Sequence, residues 1–181
     1  MGQLDYVADA MHEQDLEEYW PATLAISTFA RLITMKARQG LLTDVEGFAQ
    51  VAEHANSVRV STQYGPRMTE AILSDLKQVI IGEGFTNASR NHGPFALPYN
   101  AFLDTGFKRQ FRDGGNQVQH AMAGIWLGYY HALLKEYVYW QEDGIEDLAL
   151  YDATFPIGSQ LNGEAPITEL PRLIRTLGPE H

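Results

Sequence analysis

The fold turns on one stretch, Asn116-Gln-Val-Gln-His-Ala-Met-Ala-Gly-Ile-Trp-Leu-Gly-Tyr-Tyr-His-Ala-Leu-Leu-Lys-Glu-Tyr-Val-Tyr-Trp-Gln141. Residues 116–134 carry no formal charge with histidine neutral. On a helical projection, Asn116, His120, Ala123, Gly124, Leu127, His131, Leu134 and Val138 fall on one stripe. Ile125, Trp126, Tyr129, Tyr130, Leu133, Tyr137, Tyr139 and Trp140 take the other sides. A helix that is apolar all round is normally surrounded by others. The spacing therefore predicts a buried central helix over residues 116–141. Gly124-x-x-x-Gly128 would let a neighbouring backbone approach closely. The uncharged run reaches membrane-spanning length. It also holds Asn116, Gln117, Gln119, His120 and His131, all costly in hydrocarbon, and lacks a basic flank. A buried helix of a soluble domain is the expectation.

Helical patterns continue outward. Pro21–Arg38 reads as a helix with Pro21 in its first turn, and its apolar residues cover more than one face. Thr43–Val58 opens on the capping-box spacing Thr43-Asp-Val-Glu46. Met68–Ile81 follows and is ended by glycine. Phe85–Pro98 is a polar, breaker-rich loop of the length often given to function. Pro98–Arg112 reads as a short helix anchored by Phe102, Leu103, Phe107 and Phe111. Asp113-Gly-Gly breaks the chain before the central helix. Asp147–Leu161 contains Pro156 and reads as two short helical pieces or turns. Ile167, Leu170, Leu173, Ile174 and Leu177 mark a last amphipathic helix. The best strand candidate, Val58–Tyr64, does not make a sheet alone. The fold class is all-α: a single-domain helical bundle over 1–181, with 1–14 and 178–181 frayed.

Composition limits the chemistry. The chain has 181 residues, no cysteine, and 23 acidic against 13 basic side chains, a net charge of −10. Its size suffices for one core without disulfides. Absence of cysteine removes thiolate nucleophiles and ligands. The negative charge argues against a broad grip on nucleic acid. The N-terminus lacks the basic and apolar regions of a signal peptide, and the compartment stays unknown. There is no G-x-S-x-G, Walker loop, G-x-G-x-x-G or H-E-x-x-H, so no cofactor is expected. His120 and His131 stand three helical turns apart, too far for one metal. A site made of His120, Asp147 and His92 has no motif behind it, and no metal is expected.

Histidine is left to carry any chemistry. His120 lies in the first turns of the central helix, where the dipole favours a neutral imidazole able to act as base or electrophile. The alternative is a core histidine bonded to a carbonyl or carboxylate. Asn116 fits an N-cap with Gln119 three residues on, or a group that holds substrate. Asp147 follows Gly144, where the chain can turn back along the central helix. It could cap the next helix or orient His120. Lys108, Arg109 and Arg112 form a basic cluster, either a solvated face or an anion clamp at the mouth of a site. Arg109, Arg112 and the loop residue His92 are the candidate substrate contacts. The tyrosine- and tryptophan-rich run could stack sugars but is more often core.

Gly115-Asn-Gln-Val-Gln-His-Ala121 and Asp147-Leu-Ala-Leu-Tyr-Asp-Ala-Thr-Phe-Pro-Ile-Gly158 together resemble helical domains at the C-terminal ends of bacterial Rhs-type and wall-associated toxin-like proteins. The resemblance spans about a quarter of the chain. It carries over Asn116, His120, Asp147 and Asp152. The chain departs from that pattern at Gln119, where arginine is common, and at Pro156. What it implies is a helical fold of toxin or effector type and these site residues, more than a particular chemistry. Combined with the His–Asp pair, the first expectation is a hydrolase acting on a small molecule, peptide or glycan. The alternatives are a non-catalytic module that binds a small ligand or protein, and a subunit of a homo-oligomer.

Overall fold

The computed structural model describes residues 13–60, 68–82, 93–130, 144–163 and 165–179, with side chains from residue 21 onward. The helices are α1 (Glu13–Arg38), α2 (Asp44–Val60), α3 (Met68–Ile80), α4 (Gln117–Tyr130), α5 (Ile145–Gly163) and α6 (Leu170–Arg175). Two 3-10 turns, Arg109–Phe111 and Ile167–Glu169, complete the order. Among the described residues there is no strand, and one connected apolar cluster runs through all six helices. No described helix is long and apolar enough to cross a membrane.

The central stretch behaves as its pattern requires. Every residue of α4 from Gln117 to Ile125 is buried, as are Leu127 and Gly128. Residues 131–141, His131 among them, lie outside the described residues.

The helix α5 packs along the whole of α4. Gln117 meets Asp147, Gly124 meets Tyr151 and Thr154, and the Asn162 amide donates to the Tyr129 carbonyl. The contacts advance together, so α5 runs parallel to α4 rather than antiparallel to it. Glycines set their separation. A Cβ on Gly128 would overlap the Phe155 carbonyl oxygen, and one on Gly158 would overlap that of Ile125. The Gly124-x-x-x-Gly128 spacing therefore does what it permits, and Gly158 is its counterpart on α5.

Pro156 does not divide this segment: α5 is one helix with Pro156 inside it. Proline leaves the carbonyl four residues back without its N–H. Pro156 and Asp152 are both on the exposed side of α5, away from the core. Pro21 is likewise interior, because α1 starts at Glu13. α1 is also less buried than its composition suggests. Ile26, Ala30 and Ile33 enter the core, whereas Leu24 and Met35 are 56% and 58% exposed, and Leu32 is exposed with them.

The expected helix over Pro98–Arg112 does not form; only Arg109–Phe111 makes a 3-10 turn. Asn100 and Gly106 have φ of +57° and +79°, which a right-handed helix cannot pass. Phe102, Phe107 and Phe111 are nonetheless buried, while Leu103 is exposed. The segment is pinned to the start of α2 instead. The Asp44 carboxylate accepts from the Thr105 N–H (2.9 Å) and hydroxyl (2.5 Å), and the Asp44 N–H donates to Thr105 Oγ1 (2.9 Å). Thr43 Oγ1 accepts from the Glu46 N–H at 3.3 Å, the cap read from the sequence.

Val58 to Val60 belong to α2 rather than to a strand, and 61–67 lie outside the described residues. At the C-terminus, Ile167, Leu170, Leu173, Ile174 and Leu177 are all buried. Gly178, expected to fray, is buried too, beside the Leu177 carbonyl that accepts from the Lys108 N–H at 2.9 Å.

Candidate functional site

The parallel pairing brings the N-terminal ends of α4 and α5 together. Each end carries unsatisfied N–H groups and partial positive charge. Asp147 stands in the first turn of α5, three residues after Gly144, whose carbonyl accepts from the Leu148 N–H at 3.1 Å. Asp147 is therefore not the cap itself. A Cβ placed on Gly144 would lie 3.1 Å from Asp147 Oδ2, so this oxygen folds back on the start of its own helix. The other oxygen faces α4.

Two side chains of α4 converge on that oxygen. The Gln117 amide donates to Asp147 Oδ1 at 3.0 Å. His120 Nδ1 lies 3.9 Å from the same atom, beyond hydrogen-bond length. The His120 and Asp147 side chains keep 9% and 11% of their surface exposed, so the pair is nearly buried but not sealed. The Tyr151 ring, one turn along α5, meets the imidazole edge-to-face at 6.0 Å. A carboxylate beside an imidazole at a helix start can orient a base and stabilise its protonated form. Such contacts are often long before substrate binds.

Asn116 precedes α4, and its carbonyl accepts from the Gln119 and His120 N–H groups at 2.9 and 3.3 Å. Its amide donates to Gln119 Oε1 at 3.1 Å, and Gln119 Nε2 donates to the Ile80 carbonyl at 3.0 Å. Ile80 is the last residue of α3, so Gln119 satisfies a carbonyl that its helix leaves open. Asn116 is thus buried and tied to the α3 end.

The basic cluster is dispersed. Arg112 Nε donates to Asp104 Oδ2 at 3.4 Å, and the same oxygen accepts from the Gly114 N–H at 3.0 Å. Asp104 thereby holds the Asp113-Gly-Gly break in place and offsets the Arg112 charge. Arg109 is exposed on the 3-10 turn. Neither arginine makes a hydrogen bond or ion pair with His120 or Asp147, although the 3-10 turn that carries Arg109 packs against α5. His92 lies outside the described residues. Among the described residues no group of three or more His, Asp or Glu is placed to hold a metal ion.

Aromatic residues near the other end of α4 pack on one another. Trp126 and Tyr129 lie 4.3 and 4.7 Å from Tyr130 between ring centroids. Burial first, and then the charge of Glu70, push both tyrosine hydroxyls above the usual range. All three rings are half-buried, and Tyr137, Tyr139 and Trp140 lie outside the described residues.

Gln117 was not legible as a site residue. Its only signal is its place three residues before His120, which puts both on neighbouring positions of one helix. Comparison with family models, curated proteins and solved structures found no match.

Proposed function

We propose that this chain is a small helical enzyme, a hydrolase of toxin or effector type, with His120 as general acid–base and Asp147 as its orienting carboxylate. One observation carries the reading: residues 27 positions apart in sequence meet within 3.9 Å at a shared helix end, with part of each side chain open to solvent. The resemblance to Rhs-type C-terminal domains points to the same two residues. Asn116 supports the site from behind through Gln119. The substrate is a small molecule, peptide or glycan that approaches the joined N-termini of α4 and α5.

Replacing His120 by alanine is expected to leave the fold intact and to lower hydrolytic turnover at least about 100-fold, the usual contribution of a positioned acid–base group. Asp147→Asn should lower it as well. The check is a hydrolysis screen over peptide, glycan and ester substrates, paired with circular dichroism. An active substrate turned over equally well by folded His120→Ala would end the proposal.

Two observations favour other readings. Gln117, rather than His120, holds the hydrogen bond to Asp147, which suits a polar link inside a binding module. The exposed Leu24, Leu32 and Met35 on α1 suit an assembly subunit, whose protomers would sediment as an oligomer.

A further inference from the structure

We infer that Gln117 is a positioning residue of this site, one that sets how strongly Asp147 acts on His120. The role rests on the acid–base reading above. Gln117 and His120 occupy positions i and i+3 of α4 and reach the same oxygen, Asp147 Oδ1, at 3.0 and 3.9 Å. Gln117 is fully buried. Its Nε2 is committed to the carboxylate, while its Oε1 has no hydrogen-bond partner among the described residues. A buried acceptor left open is costly and calls for an explanation.

Asp147 supplies it. Turning the amide over would set its oxygen against the carboxylate oxygen, and a charge-assisted N–H···O bond outweighs a neutral one. The carboxylate therefore dictates which way Gln117 points. In return Gln117 draws on the charge of Oδ1, the oxygen nearer to His120. Oδ2 lies toward Gly144 at the start of α5. With that N–H gone, Oδ1 has His120 as its facing partner on α4 and favours the imidazolium more strongly. Among the described residues, Asp147 lies within 4 Å of the imidazole and the Tyr151 ring meets it edge-to-face from α5.

The test is an NMR titration of the His120 imidazole in the whole chain, with its signal assigned from its loss in His120→Gln. Gln117→Met is expected to raise the His120 midpoint by about half a pH unit or more. The same substitution in an Asp147→Asn background is expected to leave it unchanged, because Gln117 acts through the carboxylate. No shift in Gln117→Met, or an equal shift in both backgrounds, would overturn the inference. If Gln117→Met does not fold, Gln117→Leu takes its place; if neither folds, Gln117 belongs to the fold and the inference fails. The titration needs no substrate. A coupled titration with an activity indifferent to His120→Ala would overturn the enzyme reading and leave the role of Gln117 intact.

Discussion

Arg59→Met is expected to destabilise the chain by about 3–5 kcal/mol at neutral pH, the cost of leaving a buried charge without its partner. Arg59 is 1% exposed, on the last turn of α2. Its Nε and Nη2 donate to the two Asp75 oxygens at 2.6 and 2.8 Å. The Thr23 hydroxyl of α1 adds a third bond at 2.7 Å, so three helices meet on one carboxylate. Burial pushes the Asp75 carboxyl above its ordinary range, against the pull of Arg59 and Thr23. A carboxyl whose folded pKa is raised contributes stability below its unfolded pKa and loses it as pH rises through the folded value. Removing Arg59 withdraws an opposing charge and moves that folded value higher still. The loss in Arg59→Met should therefore be smaller near about pH 5 than near about pH 8 in urea unfolding. Equal losses would show that Asp75 does not bear the cost. Adding Asp75→Leu to Arg59→Met should recover most of the stability, because no charge then stays buried alone.

Gly158→Ala should cost about 3 kcal/mol, although alanine is ordinarily the better helix residue. The new methyl would overlap the Ile125 carbonyl oxygen and sit 2.6 Å from the Tyr129 nitrogen. Both are backbone atoms of α4, which no rotamer change can move aside. The helices would have to separate along their whole contact, opening space around Thr154 and Phe155. Gly163→Ala is the control. It lies on the same helix, exposed, with nothing within 4 Å of an added Cβ. A gain of up to about 1 kcal/mol is expected there, because alanine narrows the unfolded ensemble. If both substitutions gave the same shift in thermal midpoint, helix propensity rather than close approach would govern Gly158.

The helices that carry strong periodic patterns were legible. α2 and α3 begin within a residue of where their caps and apolar spacing place them. So was the burial of α4, since no polar face exists for it to show. Proline and glycine misled in opposite directions. Pro156 reads as a break but is tolerated within α5, on the side of the helix that faces away from the core. Phe102, Phe107 and Phe111 suggest a helix, yet their burial needs only that they reach the core, and left-handed residues at Asn100 and Gly106 bring them there. His120 and Asp147 could be named from their residue types and positions. Arg112 could be named too, but its pairing with Asp104 depends on a turn that no local pattern reveals.

The sequence by itself determined that this chain forms a helical bundle with a buried uncharged helix, and that no cysteine thiolate can act in it. Periodicity, capping and residue inventory are local properties, readable without knowing what lies across the core. The tertiary structure alone decided that α4 and α5 run parallel with their N-terminal ends together. That choice depends on glycines thirty residues apart fitting against each other's backbone. It also placed Gln117 on Asp147, because a hydrogen bond between two helices is set by their register, and register is a property of packing.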